Sequence, residues 1–275
     1  MLPLFAVLLA ATPPSLPPCP GVPTPTVQFA PGEQLKFRLD LFGADVGTFD
    51  VSLEHASGSE KDTAALAVRA RVRSTAFVAT NVGRYEVFAT SLLGKDLKPV
   101  NYREEVDEGQ THKTIELRFP PAGGKLPISA TKDGNPDPLD LDAGPTARDM
   151  LSTLYLLRGQ LPGKSVCADV YAGRKMWRLQ GSMAAGEEIE TPLGKFKTLR
   201  FDGSAVRLDD ANVTRTAHVW VSDDGRRLPL VAIGDVKGKV IRAQLVEATG
   251  ATRTQPPRKG PPAREPPRVG AAIGR

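Results

Sequence analysis

Along most of this chain hydrophobic and polar residues alternate one for one. Leu35, Phe37, Leu39 and Leu41 alternate with Lys36, Arg38 and Asp40, and Phe49, Val51 and Leu53 with Asp50, Ser52 and Glu54. Leu66, Val68, Ala70 and Val72 are spaced in the same way by Ala67, Arg69 and Arg71, and Ile115, Leu117 and Phe119 by Glu116 and Arg118. Successive strand side chains point to opposite faces, so each segment has one dry face and one wet face. That is the signature of antiparallel sheet, because strands buried on both sides read as unbroken apolar runs. Turn chemistry agrees. Phe42-Gly43-Ala44-Asp45-Val46-Gly47 separates the first two strands, and Asp107-Glu108-Gly109 separates Val100–Val106 from Gln110–Phe119. Further strands are expected at Val166–Tyr171, Lys175–Ser182, Glu187–Thr191, Lys195–Leu208, Ala211–Ser222, Arg227–Ile233 and Gly238–Glu247.

One segment changes period. Thr146–Arg158 places Met150, Leu151, Leu154, Tyr155 and Leu157 at helical spacing, with Pro145 before it and Gly159 just past its end. A shorter helical turn fits Thr75–Val82. A dozen strands, each greasy on one side, must bury that side somewhere, and one good helix cannot cover it. The expected fold is therefore mainly β: a strongly curved antiparallel sheet, or partly open β-barrel, with one principal helix at about 146–158 covering or plugging the concavity.

Composition changes this picture only at the ends. Hydrophobic content of 40% and charged content of 24% are ordinary for a globular chain of 275 residues. Six basic residues against Glu265 after Thr249 account for the whole net charge of +5, so residues 1–248 are neutral overall. A basic groove for specific nucleic-acid binding is thereby excluded from the folded body. The run Leu2–Ala11 fits a secretory signal core and is too short to span a bilayer, which gives a signal peptide at 1–12 and an exported, periplasmic destination. A proline-rich extended spacer is expected at 13–31, a β domain at 32–248, and a disordered basic Pro-rich tail at 249–275. Cys19 and Cys167 leave three states open: two unpaired thiols, which the flexible setting of Cys19 favours, a disulfide closing a loop of about 150 residues, or lipidation of Cys19. Pro18 just before Cys19 suits lipid attachment poorly.

Several phrases together resemble a known family. They are Phe29–Phe37, Gly43–Phe49, Asp149–Arg158, Glu190–Phe196 and Val219–Leu230, in that order along the chain. The match is to the DUF3108 family of exported Gram-negative proteins, a domain of unknown function. The resemblance implies an envelope β domain shaped as a curved, partly open barrel. It implies no activity and supplies no catalytic residues.

The residues themselves carry little chemistry. His55, His112 and His218 lack companions at metal-ligand spacing. Asp133–Asp142 looks like a calcium loop, but its sixth position is Pro138 and its twelfth Gly144, so neither the sharp turn nor the terminal carboxylate is present. Ser152 is outside any nucleophile elbow, and no phosphate-binding glycine loop appears. No metal, no cofactor and no catalytic residue is expected. The candidate ligand residues are the polar stripe Asp149, Ser152, Tyr155 and Arg158, spaced three apart on the helix, with Trp177 and Trp220, which read as core or rim aromatics and, at a pocket mouth, as ligand contacts. The stripe reads either as a hydrogen-bonded pin between helix and sheet or as the polar floor of an apolar pocket. The first functional expectation is a non-enzymatic envelope protein holding an apolar or amphipathic molecule, a lipid or acyl chain, in the concave face. The second is a filled scaffold that contacts envelope proteins or cell wall, with the basic tail as an arm and membrane contact peripheral at most. Oligomeric state stays open.

Overall fold

The computed structural model describes residues 17–21, 27–94, 96–236 and 238–250. The expected signal peptide at 1–12 and the tail beyond residue 250 lie outside the described residues. The first six strands are β1 (Glu33–Leu41), β2 (Ala44–His55), β3 (Leu66–Ser74), β4 (Tyr85–Leu93), β5 (Pro99–Glu108) and β6 (Thr111–Arg118), with a short helix α1 (Ala76–Asn81) between β3 and β4. Five short strands follow: β7 (Gly124–Lys125), β8 (Ile128–Lys132), β9 (Asn135–Pro136), β10 (Asp142–Ala143) and β11 (Arg148–Asp149). After helix α2 (Met150–Arg158) come β12 (Ser165–Ala172), β13 (Lys175–Ala185), β14 (Ile189–Thr191), β15 (Gly194–Phe196), β16 (Thr198–Arg207), β17 (Asp210–Ser222), β18 (Pro229–Val236) and β19 (Lys239–Thr249).

Fifteen of these strands form one sheet, ordered β11-β12-β13-β16-β17-β18-β19-β1-β2-β3-β4-β5-β6-β8-β9. Every neighbour pair is antiparallel except β11 with β12. The register honours the alternation: Phe37 faces Phe49, and Val51 faces Ala70, on the dry side. Register shifts at Lys36/Phe37 and Leu39/Asp40 put bulges on both sides of β1, and bulges raise local twist and bend a strand. The sheet curls, but β11 and β9, its two ends, share no backbone ladder among the described residues, so the barrel stays open.

β13 and β16 pair through a close approach of backbone and ring. Gly181 pairs with Gly203, and a Cβ on either would lie 2.6 or 2.5 Å from Cζ of the fully buried Phe201 ring. Two facing glycines let that ring lie flat against the strands.

Helix α2 lies inside the curl and divides the core. Leu151 and Tyr155 join the cluster of Leu35, Phe37, Leu53 and Val68, whereas Leu156 and Leu157 join Val166, Leu179, Phe201 and Val219. The helix begins at Met150, four residues later than the spacing predicts, because Asp149 caps it and Arg148–Asp149 first pair with Val170–Tyr171 as strand. The expected strand Lys195–Leu208 is broken at Lys197, between β15 and β16. The alternation also misses β4, because Phe88 and Leu92 are apolar on its outer side while Ser91 faces in.

The expected spacer at 13–31 is, in its described parts, bound to the domain. Cys19 is disulfide-bonded to Cys167, which corrects the preference for unpaired thiols. The Pro17 carbonyl accepts a hydrogen bond from Arg178, and Phe29 is buried in the core. Two proline-flanked anchors, one covalent and one aromatic, were enough to dock a stretch whose composition reads as linker.

Candidate functional site

Antiparallel strands send their turns alternately to two ends of the cup. At one end, where β1 starts and the β4–β5 and β17–β18 turns lie, helix α2 is sealed in place. Arg158 donates through Nη1 and Nη2 to the two carboxylate oxygens of Glu33, at 2.6 and 2.7 Å, and through Nε to the Arg227 carbonyl at 2.8 Å. Tyr155 donates to the same Glu33 carboxylate at 2.9 Å. The Arg158 guanidinium also lies 4.4 Å from the Phe29 ring centre and 4.8 Å from that of Tyr155, two rings that meet each other edge to face. Both ends of this ion pair are essentially inaccessible, at 0% and 1% exposure. Burial opposes the Arg158 charge, but the hydrogen bonds and charge of Glu33 outweigh it and hold its pKa above the ordinary arginine value. Burial, with the Glu33 charge beside it, pushes the Tyr155 hydroxyl far up, so it remains a donor.

The other half of the polar stripe is equally closed. Asp149 Oδ1 accepts from the backbone N–H of Leu151 and Ser152, at 2.8 and 2.9 Å. Its Oδ2 accepts from Ser91 Oγ on β4 at 2.6 Å and lies 3.0 Å from Ser152 Oγ. An aspartate cap satisfies the first-turn donors that a helix leaves open. Burial raises the Asp149 pKa against the pull of those four donors.

The six residues expected to line one pocket thus fall into separate places. Asp149, Ser152, Tyr155 and Arg158 share the sealed end, with their polar groups bonded to protein. Trp177 on β13 donates Nε1 to the Ala172 carbonyl at 3.2 Å, and Trp220 on β17 donates to Glu187 at 2.8 Å beneath the Arg200 guanidinium. Trp220 is outward of the core strand positions Val219 and Val221. The sequence offered no sign that Glu33 is the partner of Arg158: it stands in Pro31-Gly32-Glu33-Gln34, which reads as a turn.

Two open clefts, of about 450 and 770 Å³, occupy the outer face instead. They meet at Arg69 and Phe88, and several of their charges are paired: Arg69 with Glu60 at 3.0 Å, Lys36 with Glu247 at 3.0 Å, Arg71 with Glu86. In the loop that resembles a calcium site, Asp137 pairs with Arg174 and Asp140 with Lys125, while Asp133 accepts the His112 backbone N–H.

The opposite end of the cup is a rim of hairpins. It gathers the β1–β2 turn, α1 with the start of β4, the β5–β6 turn and the β18–β19 turn. Phe42, Phe77 and Val82 stand out here at 82, 74 and 83% exposure, with Tyr85 and Val240 also open. Inward of them Leu39, Val72, Val87 and Val106 are half-buried.

Comparison with known proteins places this architecture. The family described as "Protein of unknown function (DUF3108)" matches residues 36–241. No match is found among curated proteins. Among solved structures the chain is similar to a β-barrel-like protein, a domain of unknown function DUF1849, from Brucella abortus. The TM-score is 0.51 at 13% identity, over 78% of this chain and 96% of that one. Looser likenesses are to a candidate exported protein with YmcC-like fold from Bacteroides fragilis (TM-score 0.32, 8% identity, 82% and 99% covered), and to a candidate lipoprotein from Parabacteroides distasonis (0.35, 10%, 82% and 99%). The first shows a shared barrel-like fold; the other two carry no argument.

Proposed function

The chain belongs to the DUF3108 family of proteins of unknown function, and from that premise we propose that it is an exported, non-catalytic β domain that works by contact with other envelope components. The domain is residues 32–248; it holds no apolar ligand in its concave face. One observation carries the reading. The concavity is already occupied by α2, whose polar stripe is bonded to Glu33, Ser91 and backbone carbonyls, so a lipid entering there would have to strand a buried charge. What remains for contact is the outer face and the hairpin rim with Phe42, Phe77 and Val82. Exposed apolar tips of this size on a soluble domain mark interaction surfaces. Envelope proteins or cell wall are the partner class, with the basic tail at 249–275 as a further arm.

Export is supported by the Cys19–Cys167 bond, since such bonds persist outside reducing cytosol. Processing would then cut ahead of Cys19. The full chain, expressed with export and examined by native mass spectrometry, should have lost its leader, kept Cys19, weigh two hydrogens less than the dithiol and carry no acyl lipid. A stoichiometric lipid adduct that survives gentle desolvation would sink the filled-scaffold reading.

A further inference from the structure

One edge of the curled sheet, β11 with β12, meets β4, β5 and the turn between them with no backbone ladder among the described residues, and the contacts there run through side chains. Ser91 bonds Asp149, Arg148 donates to the Leu97 carbonyl at 2.6 Å, and the Tyr102 and Tyr171 rings meet edge to face at 5.7 Å. Further along this seam Arg174 reaches Asp137 at 3.2 Å. Where strands pair, the ladder satisfies the polar groups; here it cannot.

Three features of the seam stand apart from the sealed polar groups around α2. The Tyr171 hydroxyl is buried, on a residue 1% exposed, with no hydrogen-bond partner. Arg174 Nη1 is likewise buried and unbonded, although Nη2 is committed to Asp137. Arg174 is moreover held at φ +66°, after Gly173 at +57°, a left-handed conformation that costs a side-chain-bearing residue about 1 kcal/mol or more. Glu104 on β5 interacts electrostatically with both Tyr171 and Arg174, and its Oε2 accepts from Tyr102 at 2.7 Å. Burial raises the Glu104 pKa, with the Tyr102 hydrogen bond and the Arg174 charge pulling the other way. Two unmet donors, one of them cationic, call for an anionic oxygen, and a buried donor left unmet costs about 1–3 kcal/mol. The carboxylate beside them would repel a bare anion but accept from a hydroxyl.

We propose that this seam binds a small oxyanion that carries its own hydroxyl, a hydroxycarboxylate or hydrogen phosphate, with Tyr171 and Arg174 donating to the anionic oxygens and Glu104 accepting from the hydroxyl. The site is independent of the contact surfaces proposed above and adds a ligand to a chain with none assigned.

The full disulfide-bonded chain titrated calorimetrically with glycolate, phosphate and acetate tests this. Glycolate and phosphate should bind, and acetate, lacking the hydroxyl, about tenfold more weakly, the usual loss for one charge-assisted hydrogen bond. Tyr171→Phe should weaken glycolate about tenfold by the same argument, yet melt no lower than wild type without ligand, since it removes a hydroxyl that bonds nothing. Arg174→Gln should abolish the response. Binding of glycolate without phosphate would assign the site to carboxylates, and the reverse to phosphates; either supports the oxyanion. Absence of any heat or stabilisation with both ions overturns the proposal, as do acetate binding as tightly as glycolate and a Tyr171→Phe protein with wild-type affinity.

Discussion

The sealed end and the hairpin rim of this cup are built from the same strands and obey opposite rules. At the sealed end an arginine, a glutamate, an aspartate and a tyrosine are buried completely, and each is matched to partners from another element. At the rim apolar side chains are exposed, and the backbone itself is strained: Phe42 holds φ +53° beside Gly43 at +87°, a two-residue turn that asparagine and glycine usually fill. Stability is concentrated where polar groups are hidden, and surface for contact where apolar groups are shown. An ordinary soluble domain would have these the other way round, which is why the rim is the better guide to what the protein meets.

That contrast can be broken in order of size. Arg158→Ala should cost most, about 3–5 kcal/mol, because it leaves Glu33 buried without a counter-charge; an unfolding free energy, from urea titration, lowered by less than a third of that would mean the sealed end is looser than its geometry. Asp149 gives a pH signature. Its folded pKa is raised by burial, so the stability it contributes is complete below the ordinary aspartate value and is lost as pH rises through the raised one. Wild type minus Asp149→Asn, followed by denaturation between about pH 3 and 7, should therefore decline with pH; a rising difference contradicts the burial account. The rim should answer with the opposite sign. Phe42→Asn relieves the left-handed strain and exposes nothing new, so it should raise stability by about 1 kcal/mol, read as a higher melting temperature, while reducing any contact the rim makes.

How much of this could be read from the residues depends on whether a signal is local. Strands β1, β2 and β3 were legible because Leu35 to Val72 alternate cleanly, and the curl followed from the need to bury one face of each. The helix was legible except at its start, where Asp149 serves both strand and cap. β4 was not, because Phe88 and Leu92 erase the contrast between its faces. The polar stripe on α2 could be seen, but its partners could not: Glu33 and Ser91 are 125 and 58 residues away from the groups they bind. Pairing of Cys19 with Cys167 stood as one of three open states, because nothing local to either cysteine decides between them. The seam, made of Glu104, Tyr171 and Arg174, exists only once two distant strands are laid side by side.

The placement of β1 has a consequence for how the chain comes into being. The first strand made occupies the middle of the sheet, with β2 on one flank and the last strand, β19, on the other. A chain emerging N-terminus first must keep that flank bare until some two hundred further residues have arrived, and pairings so distant in sequence form slowly. Assembly is thus deferred until β19 has been made, which would suit the exported destination proposed above, if the chain crosses a membrane before it closes on itself.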